Sequence, residues 1–383
     1  MRIGIITHNY PSNSKERKDA GTFVYDFAMN LISKGCEVYI LSPNFKGKKE
    51  NYTKAPVTWF TWLGGKKKLG DLSLTNPTHL LYLADLMIRG PIATIKFVKK
   101  NKIDFCICMW AYPSGFFTIV AKKFTKVPYG IITLGSDIFV YTKFLPAKYL
   151  ISYICKNADA LFGNSYRICD AVENLSKKKC EFLALSTSLK IKIPKNLKIK
   201  NKKFTFLFVG RLEKVKGPDI LIESAKILKK QKIKFEILMV GPGTMYEFLK
   251  EKINQYKLQD YVKLLGPIFN RKKLSNLFLT TDSLVIPSRS ESMPFVLIEA
   301  IYAGLPAVTT TVGDMKKMVN KYKIGFTTDP ENPKKLAVAM TRAIKEGKNF
   351  KNRRKRNFDK PRKIYDTDVS IKSFIKKINK VLE

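Results

Sequence analysis

Between Pro287 and Asp314 the chain reads PSRSESMPFVLIEAIYAGLPAVTTTVGD, with Glu291 and Glu299 separated by seven residues. Glu299 lies inside the apolar run FVLIEA, where a carboxylate is costly unless it accepts hydrogen bonds, for instance from backbone amides or ribose hydroxyls. Pro294 suits the first turn of a helix, which predicts Glu291 just before the helix and Glu299 within it. Backbone amides around Pro294, those of Ser292, Met293 and Phe295, would then face a diphosphate, flanked by the two acids as hydroxyl acceptors. That chemistry suits a sugar nucleotide. Two unrelated glutamates, one capping a helix and one salt-bridged, would give the same spacing.

A second constellation lies upstream, in FTFLFVGRLEKVKGPDILIESAKIL. A buried-type strand, Phe204 to Val209, turns at Gly210 and presents Arg211 and Lys216 before a helix with Pro218 near its first turn. Leu221, Ala225 and Leu228 share one face of that helix. Two cations and free amides thus fall at the carboxyl end of a strand, where open α/β sheets bind ligands. Arginine grips phosphate oxygens with two parallel hydrogen bonds, whereas lysine supplies a compact charge. A solvated basic loop is the competing explanation. It fits Arg211 less well than Lys216, because arginine is the minority cation of this chain.

With these segments in view, the chain resembles the retaining GT-B glycosyltransferases of family 4. The Glu-x7-Glu segment, GRLEKVKG and the order of elements between them are similar to that family. In the N-terminal half, AGTFV (Ala20 to Val24) resembles its glycine-rich acceptor-side loop, with Gly21 and Thr22, and GSDI (Gly135 to Ile138) its central motif. WAYPSG, Trp110 to Gly115, is similar to the branch that builds bacterial polysaccharides and related surface glycans. The similarity covers roughly the whole chain and is more specific in its C-terminal half.

At 383 residues two domains are the expectation, and an apolar content of 45% supports globular cores. MRIGIITHNYPS reads as a strand and loop rather than a secretion signal, and no apolar run is long enough to span a bilayer. Residence in the cytoplasm, free or at the inner membrane face, is the expectation. Six cysteines without a C-x-x-C pair predict buried thiols, and two histidines, His8 and His79, are too few for a His-rich metal centre. The formal charge of +40 is spread along the chain, with 28 basic and 13 acidic side chains up to residue 190 and 43 and 18 after it. No helix-turn-helix, zinc finger or RNP signature accompanies it, so no nucleic acid is expected. Anionic lipid head groups and a lysine-rich compositional bias both account for the charge. Lys46–Lys49, Lys66–Lys68, Lys99–Lys102 and Lys177–Lys179, with Trp59, Phe60 and Trp62 among them, would suit an inner-leaflet docking surface; core packing is the first reading of those aromatics.

Strand-like runs at Arg2–Thr7, Glu37–Ser42, Val57–Thr61, Asp104–Met109, Tyr129–Thr133 and Ala160–Gly163 alternate with amphipathic stretches such as Thr22–Ser33 and Gly115–Phe124. This predicts a doubly wound parallel sheet. After a lysine-rich stretch, Lys190–Lys203, the pattern restarts at Phe204–Val209, Phe235–Val240, Val262–Leu265, Ser283–Pro287 and Ala307–Thr310. The fold expected is α/β, GT-B, with two Rossmann-like domains at 1–190 and 200–360. The resemblance adds that the domains face each other across a cleft and that the last helix, within 366–383, returns to the first. Gly241 and Gly243, after a strand, are candidates for approach to the nucleotide or for ordinary turns.

What the resemblance implies is transfer of a sugar from a UDP- or GDP-sugar, with retention, to a lipid-linked or saccharide acceptor on the first domain. Arg211, Lys216 and the amides near Ser292–Phe295 would compensate the leaving diphosphate without a metal, and no D-x-D pair is placed to hold one. Glu299 is the candidate for ribose hydroxyls and Glu291 for the donor sugar. Asp137 would face the reacting sugar or acceptor as base, orienter or structural acid. Several positions depart from the family pattern. Leu134 and Met109 stand where histidines are common, Asp314 replaces a second glycine after Gly313, Lys316–Lys317 replace an acid, and LALSTS lacks the usual Gly and Asp. Two alternatives stay open: a nucleotide-sugar epimerase or hydrolase, which the absence of cleft histidines counts against, and a nonenzymatic nucleotide-sugar or membrane binder.

Overall fold

The computed structural model describes residues 1–11, 21–44, 54–65, 67, 69, 72–73, 75–185, 191, 193–194 and 203–383, without the side chains of 348–356. Ala20, Lys46–Lys49, Lys66, Lys68 and most of the expected linker at 190–203 lie outside these residues. The chain divides into two compact units, Met1–Leu185 with Thr367–Glu383, and Ser186–Asp366.

In the first unit β1 (Arg2–Ile6), α1 (Thr22–Ile32), β2 (Glu37–Pro43), β3 (Val57–Phe60), α2 (Pro77–Asn101), β4 (Phe105–Met109) and α3 (Ser114–Thr125) follow in order. Then come β5 (Tyr129–Thr133), α4 (Ser136–Phe139), a 3₁₀ turn (Tyr141–Lys143), α5 (Leu145–Asn157), β6 (Ala160–Gly163), α6 (Tyr166–Ser176) and β7 (Glu181–Phe182). The strands pair in parallel in the order β3-β2-β1-β4-β5-β6-β7. β4 and β5 are buried along their whole length, so they read as continuous apolar runs rather than alternating ones.

The second unit holds β8 (Phe204–Val209), a 3₁₀ turn (Lys214–Lys216), α7 (Pro218–Lys230), β9 (Phe235–Val240), α8 (Tyr246–Gln255), β10 (Val262–Gly266) and α9 (Arg271–Thr280). It continues with β11 (Ser283–Ile286), α10 (Phe295–Ala303), β12 (Ala307–Thr310), α11 (Met315–Tyr322), β13 (Gly325–Thr328) and α12 (Pro333–Ile364). The order β10-β9-β8-β11-β12-β13 is again parallel. Both sheets are doubly wound, and the strand order reverses at β1/β4 in one and at β8/β11 in the other. α13 (Thr367–Leu382) belongs to the first unit. Its face of Ser370, Ile371, Phe374 and Ile378 is buried, with Phe374 against Phe27 and Phe162 at 5.3 and 5.0 Å and Ser370 Oγ accepting from the Ala184 amide. Covering Ile371, Phe374 and Ile378 stabilises this attachment by about 1.5–3 kcal/mol for each side chain.

Each strand expected from the sequence is present to within one residue at either end. β7 and β13 were not expected. β7 has two residues, and β13, GFTT, offers no apolar run; both lie at sheet edges, where little burial is demanded. Pro294 is also corrected: it caps α10 from an extended conformation (φ −71°, ψ 132°) instead of sitting in the first turn. The six cysteines are free and buried, and burial pushes the Cys108 thiol up to about 12.

Candidate active site

β8 and β11 are neighbours in the sheet, so the loops leaving their carboxyl ends meet where the strand order reverses. Arg289 ties them together. Its amide donates to Val215 O (2.8 Å), its guanidinium to Lys214 O (2.5 Å), and two parallel bonds of 2.8 Å run to Asp219 at the start of α7. A further bond of 3.0 Å reaches Glu331. Burial pushes the Asp219 carboxyl up, but the bonds and charge of Arg289 outweigh it and hold the group below the usual carboxylate range. The Asp219 bond is the largest cause holding the Arg289 guanidinium above its ordinary value. Nothing in the spacing of the motifs singled out Arg289; its one signal was an arginine, the scarcer cation, inside PSRSES.

This clasp brings Lys216 to Glu291, Nζ to Oε1 at 2.5 Å, across 75 positions of sequence. Ser288 Oγ donates to the same oxygen (3.0 Å), and the Ser288 carbonyl is held by Thr310 Oγ1 (2.7 Å). Lys216 and Glu291 were expected to address phosphate and sugar separately. In this structure they are also partners of each other, each neutralising a charge that would otherwise stand half-buried.

The Glu291–Ser292 turn rests on the loop after β12. The Asp314 amide donates to Ser292 O (2.9 Å), and a Cβ on Gly313 (φ +61°) would lie 2.2 and 2.5 Å from the carbonyls of Ser292 and Glu291. Asp314 itself adopts φ −83°, the cap of α11, so no second glycine is needed there. Met293 is buried, Pro294 caps α10 without a side-chain hydrogen bond of its own, and Phe295 opens the helix. Glu299 lies one turn inside α10, 9% exposed among Leu297, Ile298, Ala300 and Ile301.

The β8 loop is pinned to the β9 loop. Leu212 N donates to Pro242 O (2.7 Å), Met245 N to Leu212 O (3.0 Å), and Glu213 accepts from the Thr244 amide (3.1 Å) and hydroxyl (2.8 Å). Gly241 (φ +143°) and Gly243 are explained by this pinning. Their Cβ atoms would meet Gly210 O at 1.9 Å and Leu212 O at 2.4 Å, so the chain's own backbone requires glycine there without any nucleotide. Gly210 differs. A Cβ there would meet only the Phe208 ring at 3.7 Å or more, so the fold leaves room for a side chain. Arg211, beside it, is exposed, and its charge helps lower the Glu213 carboxyl behind the Thr244 bonds.

In the first unit Gly21 caps α1 at φ +102°, against Asn9 O, and Thr22 begins the helix. Of the three roles open to Asp137, base, orienter or structural acid, its surroundings favour the last. It is wholly buried, accepting from the amides of Ala111 (2.9 Å), Gly135 (3.0 Å) and Leu134 (3.3 Å). Burial raises its pKa against the opposing effect of those bonds. The carboxylate staples the β4–α3 loop to the β5–α4 turn. His8, brought in by no motif, lies at the carboxyl end of β1 beside Trp110 (4.4 Å), which carries φ +71° and also meets Phe23 (5.6 Å). Burial holds His8 neutral with a pKa of about 4. Trp62 is buried and donates to Gly65 O (3.1 Å), Phe60 packs on Phe117 (6.2 Å), and Trp59 meets Tyr10 (6.3 Å). These aromatics therefore serve packing rather than a docking surface. Among the described residues no cluster of His, Cys, Asp or Glu could hold a metal ion, and no helix is long and apolar enough to cross a membrane.

Residues 190–360 match the glycosyl transferases group 1 family. An uncharacterized glycosyltransferase of Methanocaldococcus jannaschii is 24% identical over 64% of this chain and 67% of its own length. The putative teichuronic acid biosynthesis glycosyltransferase TuaC of Bacillus subtilis is 24% identical over 89% of each chain. Relatives at 31–32% identity align over shorter stretches, and the chain spans 41% or less of their length. Among solved structures, Anabaena HepE in complex with UDP-glucose superposes with a TM-score of 0.74 at 14% identity, covering 99% of this chain and all of that one. The fold is GT-B, and the family match and the relatives' names support a glycosyltransferase.

Proposed function

We propose that this protein is a retaining glycosyltransferase, of the family 4 type, that moves a hexosyl unit from a UDP- or GDP-sugar to a lipid-linked or saccharide acceptor in the cytoplasm. The observation that carries the reading is the convergence of Lys216 and Glu291 beside the start of α10, at the reversal point of the second sheet. A diphosphate there meets the Lys216 ammonium, the guanidinium of exposed Arg211 and the first amides of α10. These donors stabilise the negative charge that grows as the glycosidic bond to the donor breaks.

When phosphate draws Lys216 toward itself, the Glu291 carboxylate is released to accept from hydroxyls of the donor sugar. Glu299, a turn further on, serves the ribose. Gly210, where the fold itself leaves space, lets the backbone come close to the nucleotide, while Gly241 and Gly243 keep the loop beneath it in place. In the first unit the Gly21–Thr22 cap serves the acceptor, and Asp137 positions the loops around it. This charge compensation calls for no metal. The acceptor's proton goes to the departing phosphate oxygen, so no side chain need act as base.

The test is incubation with UDP-, GDP- and ADP-sugars and a membrane extract. Label entering lipid or saccharide with the anomeric configuration kept supports the proposal. Free sugar or an isomerised nucleotide sugar points to a hydrolase or epimerase, and binding without turnover to a nonenzymatic role.

A further inference from the structure

The first unit exposes a concentration of large apolar side chains that neither the fold nor the donor site uses. Within fourteen residues, Val140, Tyr141, Phe144, Leu145, Tyr149 and Tyr153 all face solvent, with Phe144 and Leu145 each 62% and Tyr149 72% exposed. They lie on the end of α4, the following 3₁₀ turn and α5. On α5, Leu145, Tyr149 and Tyr153 recur at every fourth position, opposite the buried Ile151 and Ile154 that fasten the helix to the core. The helix thus has two apolar faces, one of which no described residue covers.

Its charges are one-sided as well. From Ile138 to Ala158 there is no Asp or Glu, while Lys143, Lys148 and Lys156 are exposed among the aromatics. The Arg167 guanidinium lies over the Phe139 ring at the same end, 4.7 Å from its centroid. Nearby Asp137 and Asp159 are occupied, the first by backbone amides and the second by Lys122 and the Tyr129 amide. An apolar protein partner would not require the lysines, and a nucleic acid would not require the exposed Leu, Phe and Val. Tyrosine and lysine flanking short aliphatic and aromatic wedges match a head-group region above acyl chains.

We propose that this face, Val140 to Lys156, docks the protein on an anionic lipid bilayer, with Phe144, Leu145 and Tyr149 entering the interface and Lys143 and Lys148 meeting lipid phosphates. It replaces Trp59, Phe60 and Trp62 as the lipid-facing aromatics, and it gives a local function to part of a charge of +40. The inference is independent of the donor chemistry, which belongs to the other unit.

The test is flotation with phosphatidylcholine vesicles, without and with about a third phosphatidylglycerol. The wild-type chain floats with the anionic vesicles and hardly with the neutral ones. Lys143→Glu with Lys148→Glu weakens this partition by about 25-fold, fivefold for each lysine. Phe144→Ser with Tyr149→Ser weakens it by at least about tenfold at physiological salt, where charge alone is screened. Lys334→Glu with Lys345→Glu, on α12, stays within about twofold of wild type. Circular dichroism and binding of the nucleoside diphosphate show that each variant is folded, which is expected of such exposed positions. No flotation of the wild type, an equal loss from the α12 pair, or full flotation of the Phe144/Tyr149 variant would overturn the proposal. So would a change of sedimentation mass in that variant with flotation intact, which would assign the face to a second copy of the chain.

Discussion

Replacing Glu291 by Gln separates two duties that the structure gives one carboxylate. Its Oε1 accepts from Lys216 at 2.5 Å and from Ser288 at 3.0 Å, with the side chain 10% exposed. Gln keeps an oxygen in the same place and loses the charge. The bond from Lys216 falls from charge-assisted to ordinary, a difference of about 1–1.5 kcal/mol. For a unit of this size that lowers the melting temperature by about 2–5 °C. The Lys216 ammonium is then left without its counter-charge, so it offers more to a diphosphate. Isothermal titration with the nucleoside diphosphate alone should find affinity equal to or tighter than wild type. The nucleotide sugar should behave in the opposite way. Losing a sugar hydroxyl's bond to a carboxylate costs about 1.5–3 kcal/mol, or about 10- to 150-fold in kcat/KM. If the diphosphate and the nucleotide sugar weaken equally, Glu291 is only a prop for Lys216 and the assignment to the sugar fails.

Further outcomes follow from the same geometry. Arg211→Ala should weaken the nucleoside diphosphate by about 1.5–3 kcal/mol in titration while leaving the melting temperature unchanged, because the side chain is exposed. Gly210→Ala should be equally harmless to stability but raise the donor KM, whereas Gly241→Ala should be poorly folded, since its Cβ would lie 1.9 Å from Gly210 O. Arg289→Ala should lower the melting temperature by several degrees through loss of the bidentate bond to Asp219, and weaken the donor secondarily by freeing the Lys216 loop. Because the folded Asp219 pKa lies below its unfolded value, its contribution is full above about pH 4 and is lost as pH falls further. The melting difference between wild type and Asp219→Asn should therefore shrink only on acidification below that point. Asp137→Ala should destabilise the first unit by about 1–3 kcal/mol for each buried amide left without an acceptor, read in thermal unfolding, with nucleotide binding by the second unit intact.

Composition and periodicity determined the sheets of this protein. Strands such as Phe204–Val209 and Ala160–Gly163 are buried on both faces, and a continuous apolar run between turn residues admits little else. Local order also placed Arg211 and Lys216 after one strand and Glu291 before one helix, because a loop's position in the chain fixes which sheet edge it leaves. Where those side chains point was decided by packing between loops distant in sequence. Arg289 could be read as a clasp only once Asp219 and Lys214 stood within its reach. Asp137 could be base, orienter or structural acid until Ala111, from another strand's loop, was seen to supply an amide to it. Gly241 looked like a ligand's doorway until Gly210 O was seen against it. Local sequence carries backbone propensity and burial, whereas pairing of charges depends on through-space distance, which only the closed sheet sets.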